Sequence, residues 1–460
     1  MTLNLNTYKN IYFLGAGGIG MSAIARWFHA QGFNVGGYDK TATELTAQLI
    51  KEGIDIHYDN QVGRIPTAFY NKEETLVVLT PAIPKDNTEL KFFQSGEYQI
   101  LKRSQVLGLL TKDMFTVAVA GTHGKTTTSS MIAHILKSGG IKVNAFLGGI
   151  TTNYNSNLLI GEKNGVVVVE ADEFDRSFLT LYPDIAVITS TDADHLDIYG
   201  EHEELKKSFS QFAGQIKSGG QLFLKEGLDV GKPEGVTITN YSFGESTVKA
   251  ENVKVDNGNF IFDYVSPSHT IEKISLQVPG FHNTENAVAA ISVALKLGLS
   301  AEKIKAGVES FKGVRRRFEY ILKTDQVIYI DDYAHHPTEI EAFLKSVRKL
   351  YPERKLTCIF QPHLYSRTRD FMDGFAESLS MADSLFLMDI YPARELPIEG
   401  VSSQIIFDKV TITDKHLCTK ATLISLVEKA DTDMIVTVGA GDIDTFVKPI
   451  KEYLEKKYSV

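Results

Sequence analysis

The passage from Phe115 to Lys137 constrains the fold more than any other. FTVAVA (Phe115–Ala120) is a short apolar run of strand character that meets GTHGKTTT (Gly121–Thr128) without a spacer. A helical stretch from about Thr126 to Lys137 follows and stops at Gly139-Gly140. A strand that turns through glycines into a helix aims backbone N–H groups and the positive end of the helix dipole at one spot, which suits a phosphate. Lys125 is placed to reach terminal phosphates and the Thr126 hydroxyl to ligate Mg²⁺. The full phosphate-loop template asks for a glycine five residues before Gly124, where this chain has Val119, so the loop is a shortened form. Gly121, Thr122, His123, Gly124, Lys125, Thr126 and Thr127 are the expected nucleotide contacts.

The same grammar of strand, loaded turn and helix occurs twice more. Ile11–Leu14 runs into GAGGIG (Gly15–Gly20) and then MSAIARWFHAQG, which has helical apolar spacing and Gly32 as its stop. A second strand runs from Phe33 towards Asp39, and another, Leu76–Leu79, ends in TPAIP. GAGGIG matches the dinucleotide fingerprint, with Asp39 about where a ribose-binding acid belongs. Alone it reads as a site for NAD or FAD. The turn itself binds only a pyrophosphate, and a UDP-sugar supplies one as well. Near the other end, Gln326–Ile330 runs into DDYAHHP, with Pro337 suited to the first turn of a helix. Further strands are expected at Leu356–Phe360, Ser384–Met388 and Met434–Val438, the last entering GAGD (Gly439–Asp442). Alternating strands and helices predict parallel sheets, whose ligands bind at the carboxyl edge.

The expected fold is therefore α/β in three domains. Residues 1–110 form a Rossmann-like domain, 111–313 a central mononucleotide-binding sheet of phosphate-loop type, and 314–460 a second Rossmann-like domain.

Several charged clusters follow predicted strands. The β-branched run Val166–Val169 suits a strand buried on both faces and ends at Glu170, opening EADEFD. Glu170 is suited to hold Mg²⁺ opposite the phosphate loop. Ile185–Thr189 leads into DADHLD (Asp192–Asp197), where His195 serves a second Mg²⁺, a phosphate or the structure alone. VKVDNGNFIFDY reads as a hairpin turning at Asn257-Gly258. HNTEN (His282–Asn286) opens a helix ending at Gly298; Asn283 or Asn286 either meets an adenine edge or caps the helix. RRRF (Arg315–Phe318) lies at the second domain junction, as a phosphate clamp or a solvated basic run. DDYAHHP and QPHLYSRTRD carry Asp331, Asp332, His335, His336, His363, Arg367 and Arg369, expected to face one cleft and to orient a carboxylate or an amine. Cys358 reads as a core residue.

Composition narrows the function classes. The chain has 460 residues, 43% hydrophobic and 23% charged, in the globular range. A formal net charge of -9 argues against a general nucleic-acid surface. Two distant cysteines, Cys358 and Cys418, make neither a disulfide framework nor a paired-cysteine metal site. The start MTLNLNTYKN lacks a signal-peptide pattern, and no apolar run is long enough to cross a bilayer. The expected location is the cytoplasm, without membrane partners.

Taken in order, GAGGIGM, GTHGKTTT, EADEFDRSF, DADHLDIYG, HNTENA, RRRF, DDYAHHPTE, PHLYSRTRD, YPARELPIEG and GAGDI resemble the Mur ligase family, over essentially the whole chain. The family builds the peptide stem of the bacterial cell wall, and the likeness is to its alanine-adding branch. The resemblance implies a ligase that uses ATP and Mg²⁺ to join L-alanine to the carboxylate of UDP-N-acetylmuramate through an acyl phosphate. It places the UDP part on Gly15, Gly17, Gly18, Ile19, Gly20, Met21 and Ser22, with Asp39 beside them. ATP falls to the Gly121–Thr127 turn and Asn286, with Arg317 and Asp331 or Asp332 approaching on closure. Thr126 and Glu170 would hold one Mg²⁺ and His195 a second. His335 and Arg367, assisted by His336 and Arg369, would place the muramoyl group or the amino acid. The protein would work as a monomer or weak homodimer. Many relatives carry a carbamylated lysine where ungapped counting finds Phe209, a departure shared with the alanine-adding branch. The nearest rival reading is a recycling ligase that attaches a preformed peptide to the same sugar. A folate polyglutamate ligase would leave the first domain superfluous, a nicotinamide dehydrogenase would leave GTHGKTTT unexplained, and an ATP-driven scaffold would not need the sugar.

Overall fold

The computed structural model describes residues 5–112, 114–162, 164–192, 202–256, 258–393 and 395–459. It divides into two compact units, residues 1–248 with 286–307, and residues 249–285 with 308–460.

The first unit holds two sheets. One has the order β3-β2-β1-β4-β5, from β1 (Asn10–Leu14), β2 (Asn34–Tyr38), β3 (Asp55–His57), β4 (Thr75–Leu79) and β5 (Gln99–Lys102). All its pairings are parallel. The other runs β12-β11-β10-β6-β9-β7-β8. Its strands are β6 (Thr116–Ala120), β7 (Val143–Thr151), β8 (Ser156–Leu159), β9 (Val166–Glu170), β10 (Ile185–Ile188), β11 (Gln221–Lys225) and β12 (Thr237–Ser242). Only β8 is antiparallel to its neighbour. Apolar runs such as Val117–Ala120 and Val167–Val169 are fully buried, as strands covered on both faces must be. One hydrophobic core runs from Ile11, Phe13 and Phe28 through Phe146 and Val169 to Phe209 and Leu224, so both sheets share an interior.

Register sets the first unit's working edge. Leu14 pairs with both Tyr38 and Leu79, so the turn after β1 opens beside Asp39 and Thr80. Val119 pairs with Glu170 and Ala120 with Ile188, so the turn after β6 opens between Glu170 and Thr189. These are strand-order reversals, where open α/β sheets bind ligands.

The second unit contains the antiparallel strands β13 (Val248–Asp256), β14 (Asn259–Val265) and β15 (Thr270–Leu276). Its other sheet has the order β16-β17-β21-β18-β19-β20. The strands are β16 (Glu319–Lys323), β17 (Ile328–Asp332), β18 (Leu356–Phe360), β19 (Ser384–Met388), β20 (Lys415–Cys418) and β21 (Met434–Val438). Except for β16, the pairings are parallel.

Two expected boundaries shift. The helix after β1 spans Ile19–Ala30, so the last two residues of GAGGIG belong to it. β17 ends at Asp332, not Ile330. Apolar patterning missed this because Asp331 and Asp332, although acidic, are buried strand residues. Expected Asn257 lies outside the described residues, as does most of DADHLD; β13 and β14 pair from Asp256↔Asn259 onward.

Candidate functional site

In the first unit, β6 delivers the chain into the turn Gly121–Gly124 and the helix Lys125–Ser138. Gly124 stands at φ 82°, a left-handed conformation glycine adopts without penalty, and a Cβ there would lie 2.8 Å from Asn286 Oδ1. Hydroxyls from the end of β10 fix the turn. Ser190 Oγ accepts from the His123 N–H at 2.7 Å and lies 2.9 Å from Thr122 Oγ1, while Thr189 donates to the His123 carbonyl. The Asp192 N–H donates to Thr122 Oγ1 at 3.1 Å, and its carboxylate lies 3.5 Å from His123 Nε2. His195 lies outside the described residues.

Lys125 folds back over this turn. Its Nζ donates to the Gly121 carbonyl at 2.5 Å and sits 2.8–2.9 Å from the two oxygens of Glu173, which is fully buried. Burial would lower the lysine's pKa, but Glu173, then Glu170 and Asp172, outweigh it and hold the pKa above its ordinary value. Asp172 is pushed up by its own burial and by Glu173, against the pull of Lys125 and Arg103. The Lys125 ammonium is thus held as a cation over the turn.

Glu170, the last residue of β9, accepts from the Gly148 N–H at 3.0 Å. A Cβ on Gly148 would fall 2.3 Å from both Glu170 oxygens, so only glycine lets the acid lie there. Thr126, at the helix start, is buried. Among the described residues no group of three or more His, Cys, Asp or Glu gathers as a metal cage. Glu170 and Thr126 offer oxygen donors, which fits Mg²⁺, an ion that prefers oxygen and completes its shell with water and phosphate.

The glycine turn after β1 lies in the same unit. Asp39 Oδ2 accepts from the Gly17 N–H at 2.7 Å and Oδ1 from the Thr41 N–H at 3.0 Å, so the acid closes the fingerprint loop. A cavity of about 320 Å³ opens next to it. Gly18, Ile19, Gly20 and Met21 line it, as do Gly148, Glu170 and Asp172. Arg103 also lines it, 3.3 Å from Asp172.

In the second unit, the ends of β17 and β18 build a histidine–arginine cluster. The rings of His335 and His363 are 6.1 Å apart, His363 stacks on Tyr391 at 5.7 Å, and Arg367 Nη1 lies 3.4 Å from His363 Nδ1. Arg367 is buried, and Glu339 accepts from the His335 N–H at 3.0 Å. Arg316 and Arg317 lie over the Tyr333 ring, at 5.1 and 4.9 Å from its centroid.

The remaining expected residues have internal partners. Asp332 accepts from the Phe318 N–H at 2.7 Å and the Ala334 N–H at 2.8 Å. Burial raises its pKa to about 6, against Arg317 and those N–H donors. Asp331 is bonded to Thr437 Oγ1 at 2.6 Å and Arg316 Nε at 3.2 Å. His336 caps the helix Pro337–Leu350 and packs on Phe371. Arg369 faces outward and pairs with its neighbour Asp370 at 2.7 Å, away from the buried side that Arg367 takes. Asn283 donates to the Pro279 carbonyl at 3.0 Å, within its own helix end. Sequence reading missed the roles of Glu173, Gly148, Arg103, Glu339 and Tyr391. Glu173 was visible as the second glutamate of EADEFD; the others carry no spacing signal.

Comparison with known proteins agrees along the whole chain. The family descriptions "Mur ligase family, catalytic domain", "Mur ligase middle domain" and "Mur ligase, glutamate ligase domain" match residues 10–114, 119–294 and 316–441. A UDP-N-acetylmuramate–L-alanine ligase of Parabacteroides distasonis is 52% identical over 99% of both chains. One from Flavobacterium johnsoniae is 51% identical over 99% of this chain and all of its own. The crystal structure of the UDP-N-acetylmuramate–alanine ligase of Thermotoga maritima superposes with a TM-score of 0.81 at 28% identity, covering 97% of this chain and 99% of that one. The glycine turn of β1, the lysine turn of β6 and the histidine–arginine cluster therefore have a common setting: this chain belongs to the Mur ligase family.

Proposed function

We propose that this protein joins L-alanine to the carboxylate of UDP-N-acetylmuramate, consuming ATP and releasing ADP and phosphate, as a step in cell-wall precursor synthesis in the cytoplasm. The observation that carries the reading is one cavity lined both by the end of the fingerprint turn and by the Glu170 edge. One molecule with a diphosphate at one end and a reacting acid at the other fits such a cavity. The full-length likeness to alanine ligases names the molecule.

In this reading residues 1–110 hold the UDP part, 111–313 hold ATP and 314–460 supply the amino-acid site. The substrate carboxylate attacks the γ-phosphorus of ATP, ADP leaves, and an acyl phosphate forms. The alanine nitrogen then attacks the acyl carbon, a tetrahedral intermediate collapses, and phosphate departs. Lys125 neutralises charge on the transferring group, and the backbone N–H groups of Gly121–Thr127 position it. Asn286, whose Oδ1 lies against the Gly124 turn, would contact the adenine. Thr126 and Glu170 would hold Mg²⁺, which supplies further neutralisation of phosphate charge. A histidine of the His335–His363 pair takes the ammonium proton, and Arg367 orients a carboxylate.

The test is phosphate release from ATP and Mg²⁺ with and without UDP-N-acetylmuramate and L-alanine. Release that requires both supports the reading. Release indifferent to the sugar nucleotide overturns it, and release with the sugar plus a tripeptide in place of alanine points to the recycling reaction.

A further inference from the structure

The helix that receives the diphosphate is clamped to the hairpin that carries Gly148. Asn157, on β8, is fully buried. Its Nδ2 donates to the carbonyl of Ile19, the first residue of the helix Ile19–Ala30, and lies 3.2 Å from Ser22 Oγ. Ser22 in turn donates to the same carbonyl at 2.9 Å. The Asn157 Oδ1 accepts from Arg26 Nη1 at 2.7 Å, and Arg26 Nε donates to Glu52 Oε2 at 2.7 Å. Guanidinium only donates and a carbonyl only accepts, so the amide can sit only this way round. The helix packs on β7 and β8, with Trp27 and Phe146 rings 6.5 Å apart. β7 also carries Gly148, whose N–H holds Glu170.

The bonds Glu52–Arg26–Asn157–Ile19 thus tie the helix that carries Ile19, a residue of the cavity lining, to β8, whose partner β7 carries Gly148 and through it Glu170; Glu52, Arg26 and Asn157 themselves do not line the cavity. We infer that Arg26 and Asn157 are positioning residues that set the distance between the diphosphate-binding helix end and the Glu170 edge, and so the length of UDP-sugar acid that reaches the phosphoryl group. This rests on the proposed function. The clamp touches no substrate; it acts by fixing the two walls. A small misplacement of a reacting group is enough to cost orders of magnitude in rate.

The discriminating comparison is UDP alone against UDP-N-acetylmuramate. UDP needs one wall, the complete substrate needs both. Asn157→Asp keeps the shape and the acceptor for Arg26 but loses the N–H donor to Ile19. Calorimetry should show the affinity for UDP-N-acetylmuramate falling about 10-fold and that for UDP changing less than twofold, with kcat also reduced. Arg26→Lys keeps the charge near Glu52 but loses the fork to Asn157; it should shift the same ratio in the same direction, and it carries the test where Asn157→Asp fails to fold. Equal loss for UDP and the full substrate, or no loss for either in folded variants, overturns the clamp. Wild-type protein that binds no UDP-N-acetylmuramate overturns the proposed function itself.

Discussion

The first unit contains two glycine turns of nearly the same build, and they are held differently. Each follows a central strand and opens a helix, Ile19–Ala30 in one and Lys125–Ser138 in the other. The turn after β1 is fixed by an acid, Asp39, bonded to its backbone, and its helix starts with Ile19 and Gly20. The turn after β6 is fixed by neutral hydroxyls, and its helix starts with a lysine matched to a buried glutamate. A diphosphate that is only held can rest on N–H groups and a helix dipole. A phosphoryl group that is transferred gathers charge in the transition state and needs a fixed cation nearby. Under the proposed function the same fold element serves as an anchor in one place and a reaction centre in the other, depending on one residue and its counter-ion.

The largest expected effect breaks the comparison at that residue. Lys125→Ala should lower kcat about 10³-fold, while calorimetric binding of UDP-N-acetylmuramate stays within twofold. Retained turnover would remove the distinction between the turns. Next comes Gly148→Ala, which pushes Glu170 aside. It should reduce kcat/KM about 100-fold through the ATP side, again with UDP binding intact; a parallel loss of UDP binding would show that the walls are not separable. Asp39→Ala attacks the other turn and leaves the Gly17 and Thr41 N–H groups without their acceptor. Substrate affinity should fall about 10-fold, near 1.4 kcal/mol, with KM for ATP unchanged.

The last effect is on stability, not on activity, and concerns a residue beneath the first turn. Glu89 is fully buried, accepts from Tyr12 Oη at 2.7 Å and lies 3.4 Å from His57 Nε2. Burial raises its pKa from 4.5 to about 7, against the bonds from Tyr12 and the Gln61 backbone. The folded state therefore holds this proton more tightly than the unfolded chain. Its stabilising contribution is complete below about pH 4.5 and is lost as pH rises to about 7, by on the order of 3 kcal/mol. Glu89→Gln cannot titrate and should flatten that slope in urea denaturation between pH 5 and 8. An unchanged slope would place the titration elsewhere.

Local signals made much of this legible. The strands Leu356–Phe360, Ser384–Met388 and Met434–Val438 are where apolar runs place them, because central parallel strands are apolar on both faces. The helix after GTHGKTTT follows from its glycines and its stop. The acids of DDYAHHP were readable as a cluster but not as strand residues. Their burial depends on Arg316, Thr437 and the Phe318 and Ala334 amides, partners as much as 106 residues away.

By itself the sequence determined three α/β blocks, two phosphate-type turns, the acid at the end of β9 and the family, since each depends on residues adjacent in the chain. Only the tertiary structure decided which side chains are partners. Asn157 meets Ile19 across 138 positions, Glu173 meets Lys125 across 48, and Gly148 makes room for Glu170 across 22. Register and packing bring such residues together, and a hydrogen bond between distant positions leaves no period or spacing in the chain that encodes it.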